Sequence, residues 1–179
     1  MTTKNRIGLI HLYCGEGKGK TTAAMGLITR ALGHGCRVVL VQFLKSGNSG
    51  ELNILRALPG ITVFAGQVTG KFSIAMSEAE KRATADLHLD YFRKATALAV
   101  QGETDILVLD EVLGAIESGM MSEAELVQFL DEKPTGLEVV MTGRTAPAAL
   151  LDRADYISRI DCVRHPYQKG ILAREGIEY

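Results

Sequence analysis

The stretch CGEGKGKTTAA, Cys14 to Ala24, lies between an apolar run, RIGLIHLY (6–13), and a helix-forming run (21–32) closed by Gly33. Gly15, Gly17 and Gly19 let the backbone turn so that successive N–H groups point into one concavity. The N-terminus of the following helix adds its dipole, and the two together make an anion site. Lys20 can reach a polyphosphate, and the Thr21 hydroxyl can ligate Mg²⁺. The general phosphate-loop spacing is GxxxxGK[ST]; here Gly15 to Lys20 reads GxxxGK, one residue shorter, and Cys14 stands where the first glycine is usual. The donors survive the shortening. The expected nucleotide-binding set is Gly15, Glu16, Gly17, Lys18, Gly19, Lys20, Thr21 and Thr22, and ATP is the expected nucleotide because no NKxD guanine-reading sequence occurs.

Outward from this loop, short β-rich runs alternate with helical segments. Strands are expected at 6–13, 37–43, 61–64, 105–109, 138–142 and 156–160. Several are apolar throughout, the pattern of strands covered on both faces in a mostly parallel sheet. Ser77 and Glu80 form a capping-box pair opening a helix to about Gln101, with Ala79, Ala83, Leu87, Tyr91, Ala95 and Leu98 as its apolar stripe. Ser122 and Glu125 repeat the signature before 126–130, and Pro147 suits the first turn of a helix at 146–151. The stretches 66–76 and 162–179 fit no regular element, as active-site loops often do not. This order predicts an α/β fold: a single three-layer P-loop NTPase-like (RecA-like) domain over residues 1–179 with right-handed crossovers.

The run ILVLDE (106–111) brings Asp110 and Glu111 to the carboxyl edge of the sheet, expected beside the phosphate loop, where either can hold Mg²⁺. MTGR (141–144) ends another strand at that edge, and Arg144 can neutralise phosphate charge. These residues leave the reaction open. Glu111 can serve as a hydrolytic base in an ATPase, no kinase acceptor signature is visible, and a nucleotide-binding regulatory protein needs no catalytic group.

Composition narrows the classes. The chain has 179 residues, 46% of them hydrophobic, which suits one packed domain and excludes a disordered or fibrous chain. Twenty basic residues against 21 acidic ones give a formal net charge of -1, so no broad basic field for nucleic acid exists. No apolar run approaches the roughly 18 residues of a membrane span, and the N-terminus does not read as a secretory signal. Cys14, Cys36 and Cys162 are odd in number and far apart, giving neither a disulfide framework nor a metal pair, as expected of a cytoplasmic protein. His11, His34 and His88 have no partner at metal-ligand spacing and are expected to be structural; Met120 and Met121 are expected to fill core gaps.

Taken together, GEGKGKTTAAMGLITRALGHG (15–35), VVLVQFLKS (38–46), ILVLDEVLGAIESG (106–119), VVMTGRTAPAALLDRADYISRI (139–160) and RHPYQKGILAREGIEY (164–179) resemble the ATP:corrinoid adenosyltransferase family, in family order along the whole chain. The shortened phosphate loop is itself the family's form. The resemblance implies transfer of the 5'-deoxyadenosyl group from ATP to the cobalt of a reduced corrinoid, cob(I)alamin or cob(I)yrinic acid a,c-diamide, with release of intact triphosphate. It implies Mg²⁺ at Thr21, Asp110 and Glu111, charge stabilisation by Lys20, a nucleotide contact from Arg144, and a nucleotide turned so that C5' faces the corrinoid. It further implies a reduced flavin or flavoprotein as electron donor and a homodimer. Members of the family use an aromatic wedge, commonly GFTW, to strip the lower cobalt ligand; here the stretch is GKFSI (70–74), in which Phe72 matches and Ile74 replaces the tryptophan. Phe72, Ile74 and, in the matching tail, His165 are the expected corrinoid contacts. The N-terminal segment of longer members has no expected counterpart ahead of the first strand near Arg6.

Overall fold

The computed structural model describes residues 7–66, 69, 71 and 73–178. Along the chain run β1 (Ile10–Cys14), α1 (Lys20–Gly33), β2 (Val38–Gln42), α2 (Gly50–Leu55), β3 (Ile61–Ala65), a 3-10 turn (Ser73–Ala75), α3 (Glu78–Val100), β4 (Ile106–Asp110), α4 (Val112–Glu117), α5 (Glu123–Glu132), β5 (Glu138–Thr142), α6 (Ala148–Leu151), β6 (Tyr156–Arg159) and a second 3-10 turn (Pro166–Lys169). The six strands form one sheet of order β3-β2-β4-β5-β1-β6, and every pairing is parallel.

The central strands show why the sequence folds this way. Every residue of β2 and β4 is buried, and their side chains alternate between two cores. Val38, Leu40, Ile106 and Val108 pack on one face against Ala24, Met25, Ile28 and Ala31 of α1. Val39, Val41, Leu107 and Leu109 pack on the other against Phe92, Ala95 and Ala99 of α3 and Leu126 and Leu130 of α5. Each fully buried aliphatic side chain contributes about 1.5–3 kcal/mol, so the two-sided strands dominate the stability of the sheet. β6, at the edge opposite β3, is exposed along its whole length.

Several expectations are corrected. β1 begins at Ile10, not near Arg6, which lies outside the described residues. The buried stripe of α3 is Thr84, His88, Phe92, Ala95 and Ala99, one residue round from the expected Ala79–Leu98 row, of which only Ala95 is buried. The expected row lies at the margin of the core, where Tyr91 and Leu98 pack against it half-buried, while the volume of Phe92 and the hydrogen bonds of His88 fill its centre. Pro147 caps α6 with extended backbone rather than entering its first turn. The six-residue α2 and α4 were not foreseen, being too short for a periodic signal. Each stretch expected to be irregular holds one 3-10 turn. The capping box at Ser77 and Glu80 forms reciprocally, and the Ser122 side chain accepts from the Glu125 amide. No disulfide joins the described cysteines, and no described helix is long and apolar enough to cross a membrane.

Candidate active site

The phosphate loop leaves the carboxyl end of β1 between the ends of β5 and β6. The Gly15 amide donates to Arg144 O at 2.8 Å and the Gly17 amide to Ile160 O at 2.7 Å. A Cβ at Gly15 would lie 2.5 Å from Ile160 O, and one at Gly17 would lie 2.7 Å from Asp161 O. These two glycines are therefore required by the chain exiting β6, and their amides are consumed by the protein, contrary to the expectation that all loop donors point inward. The head of helix α1 is the candidate anion site. Its first backbone hydrogen bond in the ladder runs from Ala23 N–H to Gly19 O at 2.8 Å, so the amides of Lys20, Thr21 and Thr22 precede the ladder. The Lys20 ammonium folds over the loop and donates to Gly15 O at 2.6 Å and Gly17 O at 2.7 Å.

Asp110 lies beside this loop, as expected: although β5 is inserted between β1 and β4, Thr21 at the head of α1 reaches the Asp110 carboxylate directly. Gln42, Asp110 and Thr142 end β2, β4 and β5, and all three are fully buried. Asp110 Oδ1 accepts from Thr21 Oγ1 at 2.9 Å and Thr142 Oγ1 at 2.8 Å. Asp110 Oδ2 accepts from Lys45 Nζ at 2.6 Å and Gln42 Nε2 at 3.1 Å. Lys45 Nζ also donates to Thr21 Oγ1 at 3.1 Å. A buried carboxylate is tolerated only when paired and hydrogen-bonded, and this one has both.

Glu111 follows in the left-handed region (φ 63) and donates its amide to Thr142 Oγ1 at 2.8 Å. Burial raises its pKa, and the neighbouring Asp110 raises it further against the opposing charges of Lys45, Lys20 and Arg144. Among the described residues, Glu111 and Leu44 (φ 55) are the non-glycine residues at positive φ, and both border the Asp110 cluster. Backbone strain concentrated in this way is characteristic of functional sites. The Leu44 amide donates to His88 Nε2 at 3.3 Å, while His88 Nδ1 lies 3.3 Å from Met120 O. That pattern assigns the proton to Nδ1 of a neutral ring, and burial lowers the His88 pKa to about 4. His88, Met120 and Met121 are thus structural, as expected.

The remaining expected residues scatter. Arg144 is exposed at the mouth of the loop, 3.7 Å from Glu16 Oε2. Lys18 Nζ donates to Glu178 Oε1 at 2.9 Å, and Arg174 grips the same carboxylate, tying the C-terminal tail to the loop. Those donors hold the Glu178 pKa down at about 2. Ile74 is 97% exposed, and His165 Nδ1 accepts from the Tyr167 amide at 3.2 Å. Among the described residues no hydrogen bond or ion pair joins either of them to the phosphate loop. Phe72 lies outside the described residues. Sequence reasoning missed the roles of Gln42, Lys45 and Thr142. Each falls at or just past the carboxyl end of an apolar run, where site residues of a parallel sheet gather, and that position was the available signal.

The oxygen set fits Mg²⁺. Thr21 Oγ1 and Asp110 Oδ2 are hard donors, and the Lys45 ammonium in contact with both demonstrates room for a cation. Among the described residues no three His, Cys, Asp or Glu side chains gather into a metal cage.

Comparison with known proteins identifies the family. The family model described as ATP:corrinoid adenosyltransferase BtuR/CobO/CobP matches residues 6–179. The corrinoid adenosyltransferase of Escherichia coli K12 is 34% identical over 174 residues, covering 96% of this chain and 86% of its own. That of Pseudomonas aeruginosa is 30% identical over 173 residues, covering 96% and 84%. Among solved structures, the cytoplasmic domain of EssC aligns with a TM-score of 0.55 at 20% identity, over 93% of this chain and 34% of that one. The cytoplasmic domain of the type VII secretion ATPase EccC of Thermomonospora curvata aligns at 0.51 and 17%, over 92% and 21%. These two likenesses concern the fold alone.

Proposed function

The chain belongs to the ATP:corrinoid adenosyltransferase family, and from that premise we propose that it moves the 5'-deoxyadenosyl group of ATP onto the cobalt of cob(I)alamin or cob(I)yrinic acid a,c-diamide. The Co(I) electron pair forms a bond to C5', the C5'–O bond breaks, and triphosphate leaves intact. The observation that carries this reading is the meeting, at one sheet edge, of the shortened loop with an acid whose oxygens are engaged by one ammonium, two hydroxyls and one side-chain amide. Asp110 accepts four hydrogen bonds. It is therefore suited to holding a cation rather than to deprotonating water, and direct attack by cobalt needs no base.

Each residue has a role in this scheme. The amides of Gly19, Lys20, Thr21 and Thr22 receive the phosphates, and the Lys20 ammonium turns from the loop carbonyls to the triphosphate as negative charge develops on it. Thr21 and Asp110 would hold Mg²⁺, with Glu111 beside them; the ion, when bound, adds charge neutralisation on the leaving group. Glu111 stands beside the cluster, its backbone amide held on Thr142 Oγ1. Arg144 and Lys18 flank the nucleotide at the mouth. Phe72, with Ile74 and His165, meets the corrinoid and favours four-coordinate Co(II), which a reduced flavin or flavoprotein then reduces. The working unit is a cytoplasmic homodimer of single nucleotide-binding domains.

The test is an anaerobic mixture of protein, ATP, Mg²⁺ and chemically reduced corrinoid, followed in the visible spectrum with analysis of the phosphate products. An alkyl-cobalt spectrum with stoichiometric triphosphate is expected. ADP and phosphate without an alkyl-cobalt product would refute the reading in favour of an ATPase.

A further inference from the structure

Besides Lys18 and Lys20 of the phosphate loop, the Lys45 ammonium lies at this sheet edge. Lys45 reaches in from the segment after β2. Its Nζ contacts Thr21 Oγ1 at 3.1 Å and Asp110 Oδ2 at 2.6 Å, the two oxygens that fit a divalent cation. An ammonium and a divalent ion cannot occupy that space together, because their charges repel and the same lone pairs would serve both.

We propose that Lys45 is a resident counter-cation that keeps the divalent-cation position filled in the nucleotide-free protein and moves to the triphosphate when metal and nucleotide enter together. This rests on the nucleotide-site reading above. Metal alone is then excluded, and the two ligands bind with mutual dependence.

Three observations carry the exchange. First, Asp110 does not depend on Lys45 for its hydrogen bonds: Thr21, Thr142 and Gln42 still donate to it, and Gln42 is itself fixed by Ser49 Oγ donating to its Oε1 at 3.1 Å. Lys45 takes with it its positive charge and its contacts to Asp110 Oδ2 and Thr21 Oγ1, and a metal ion on the same two oxygens restores both. Second, the side chain can leave while its backbone stays. The Phe43 amide donates to Asp110 O at 2.9 Å and the Leu44 amide to His88 Nε2 at 3.3 Å, whereas the Lys45 side chain is 28% exposed on a flexible four-carbon stem. Third, Lys20 is parked in the same way on the carbonyls of Gly15 and Gly17. Both ammoniums therefore rest on oxygens of the protein that a triphosphate can replace.

The test uses the intact protein with Mn²⁺ as the metal probe, read by the free-ion electron paramagnetic resonance signal, and ATP binding in EDTA by equilibrium dialysis. Lys45→Met is expected to bind Mn²⁺ without nucleotide about tenfold more tightly than wild type and to bind metal-free ATP about tenfold more weakly, the scale of one charge-assisted contact. Lys45→Arg, which keeps the charge, should still exclude Mn²⁺. Adding Asp110→Asn to Lys45→Met should abolish the gain in Mn²⁺ affinity. Unchanged Mn²⁺ binding or unchanged ATP binding in Lys45→Met overturns the proposal, as does a gain that survives Asp110→Asn. Should the Met variant not fold, Lys45→Gln takes its place in each arm. A wild type that binds no ATP·Mg²⁺ would defeat the nucleotide-site reading itself, whereas normal ATP·Mg²⁺ binding with unaltered Lys45 variants defeats only the role of Lys45.

Discussion

The Thr142 hydroxyl donates to Asp110 Oδ1 across 2.8 Å and accepts the Glu111 amide at the same distance. One small side chain, from the strand inserted between β1 and β4, thus sets both the carboxylate and the turn that follows it. Thr142→Val should leave a buried amide without its acceptor and remove one of the donors to Asp110. The expected loss is about 1–3 kcal/mol of stability, read by urea unfolding, together with weaker metal-dependent ATP binding. Thr142→Ser keeps the hydroxyl and should behave nearly as wild type; equal damage from both changes would assign the effect to lost packing.

Lys20→Ala should lower adenosyl transfer by at least about 100-fold, the scale of losing a preorganised charge at a leaving group, while unfolding stays cooperative. Single-turnover kinetics with chemically prepared Co(I) isolates that step. A variant retaining a tenth or more of the rate would remove Lys20 from the chemistry.

Gly17 and Gly19 should respond differently to alanine. At Gly17 the new Cβ would meet Asp161 O at 2.7 Å and Ile160 O at 2.8 Å, both backbone atoms, so Gly17→Ala should cost roughly 2 kcal/mol or more through a displaced loop. Gly19 has open space around it but φ +122, so its cost is backbone strain alone, about 1–3 kcal/mol. Nucleotide binding should suffer from both changes, whereas tryptic cleavage of the C-terminal tail, which packs on the loop, should accelerate only in Gly17→Ala.

His88 makes stability depend on pH. Burial lowers its pKa from 6.5 to about 4, so below pH 6.5 the unfolded chain takes up a proton that the folded one refuses. The stabilisation is complete above pH 6.5 and drains away as pH falls towards 4. At pH 5 the loss amounts to about 2 kcal/mol. Urea unfolding at pH 7.5, 6 and 5 should show this slope in wild type and a flatter one in His88→Gln. Parallel slopes would mean that the ring titrates normally.

Phe72→Ala should slow the reaction that starts from Co(II) by roughly tenfold or more, the scale of one lost apolar contact, and spare the reaction from prepared Co(I). Comparing the two starting states in one preparation is the measurement. Equal losses would deny the side chain a role in displacing the lower cobalt ligand.

The family, the α/β class and the phosphate loop were legible in the chain, because each depends on residues adjacent in sequence: an apolar run, three glycines, a lysine and a threonine at the head of a helix. The capping boxes at Ser77 and Ser122 were legible for the same reason. The burial row of α3 was not, since the choice between Ala83–Leu87 and Thr84–His88 depends on which face meets the sheet, and the bonds His88 makes with Leu44 and Met120 come from distant segments.

Sequence alone therefore determined that a helix, α1, would follow the glycine-rich loop and that Asp110 would stand at the end of its strand. Only the tertiary structure decided that β5 stands between β1 and β4, that Thr142 holds both Asp110 and the Glu111 amide, and that Lys45 lies against both Thr21 and Asp110. Local patterns encode hydrogen bonds between chain neighbours. The order of parallel strands, set by crossovers spanning tens of residues, chooses which strand ends become neighbours, and the charge balance of this site is a product of that choice.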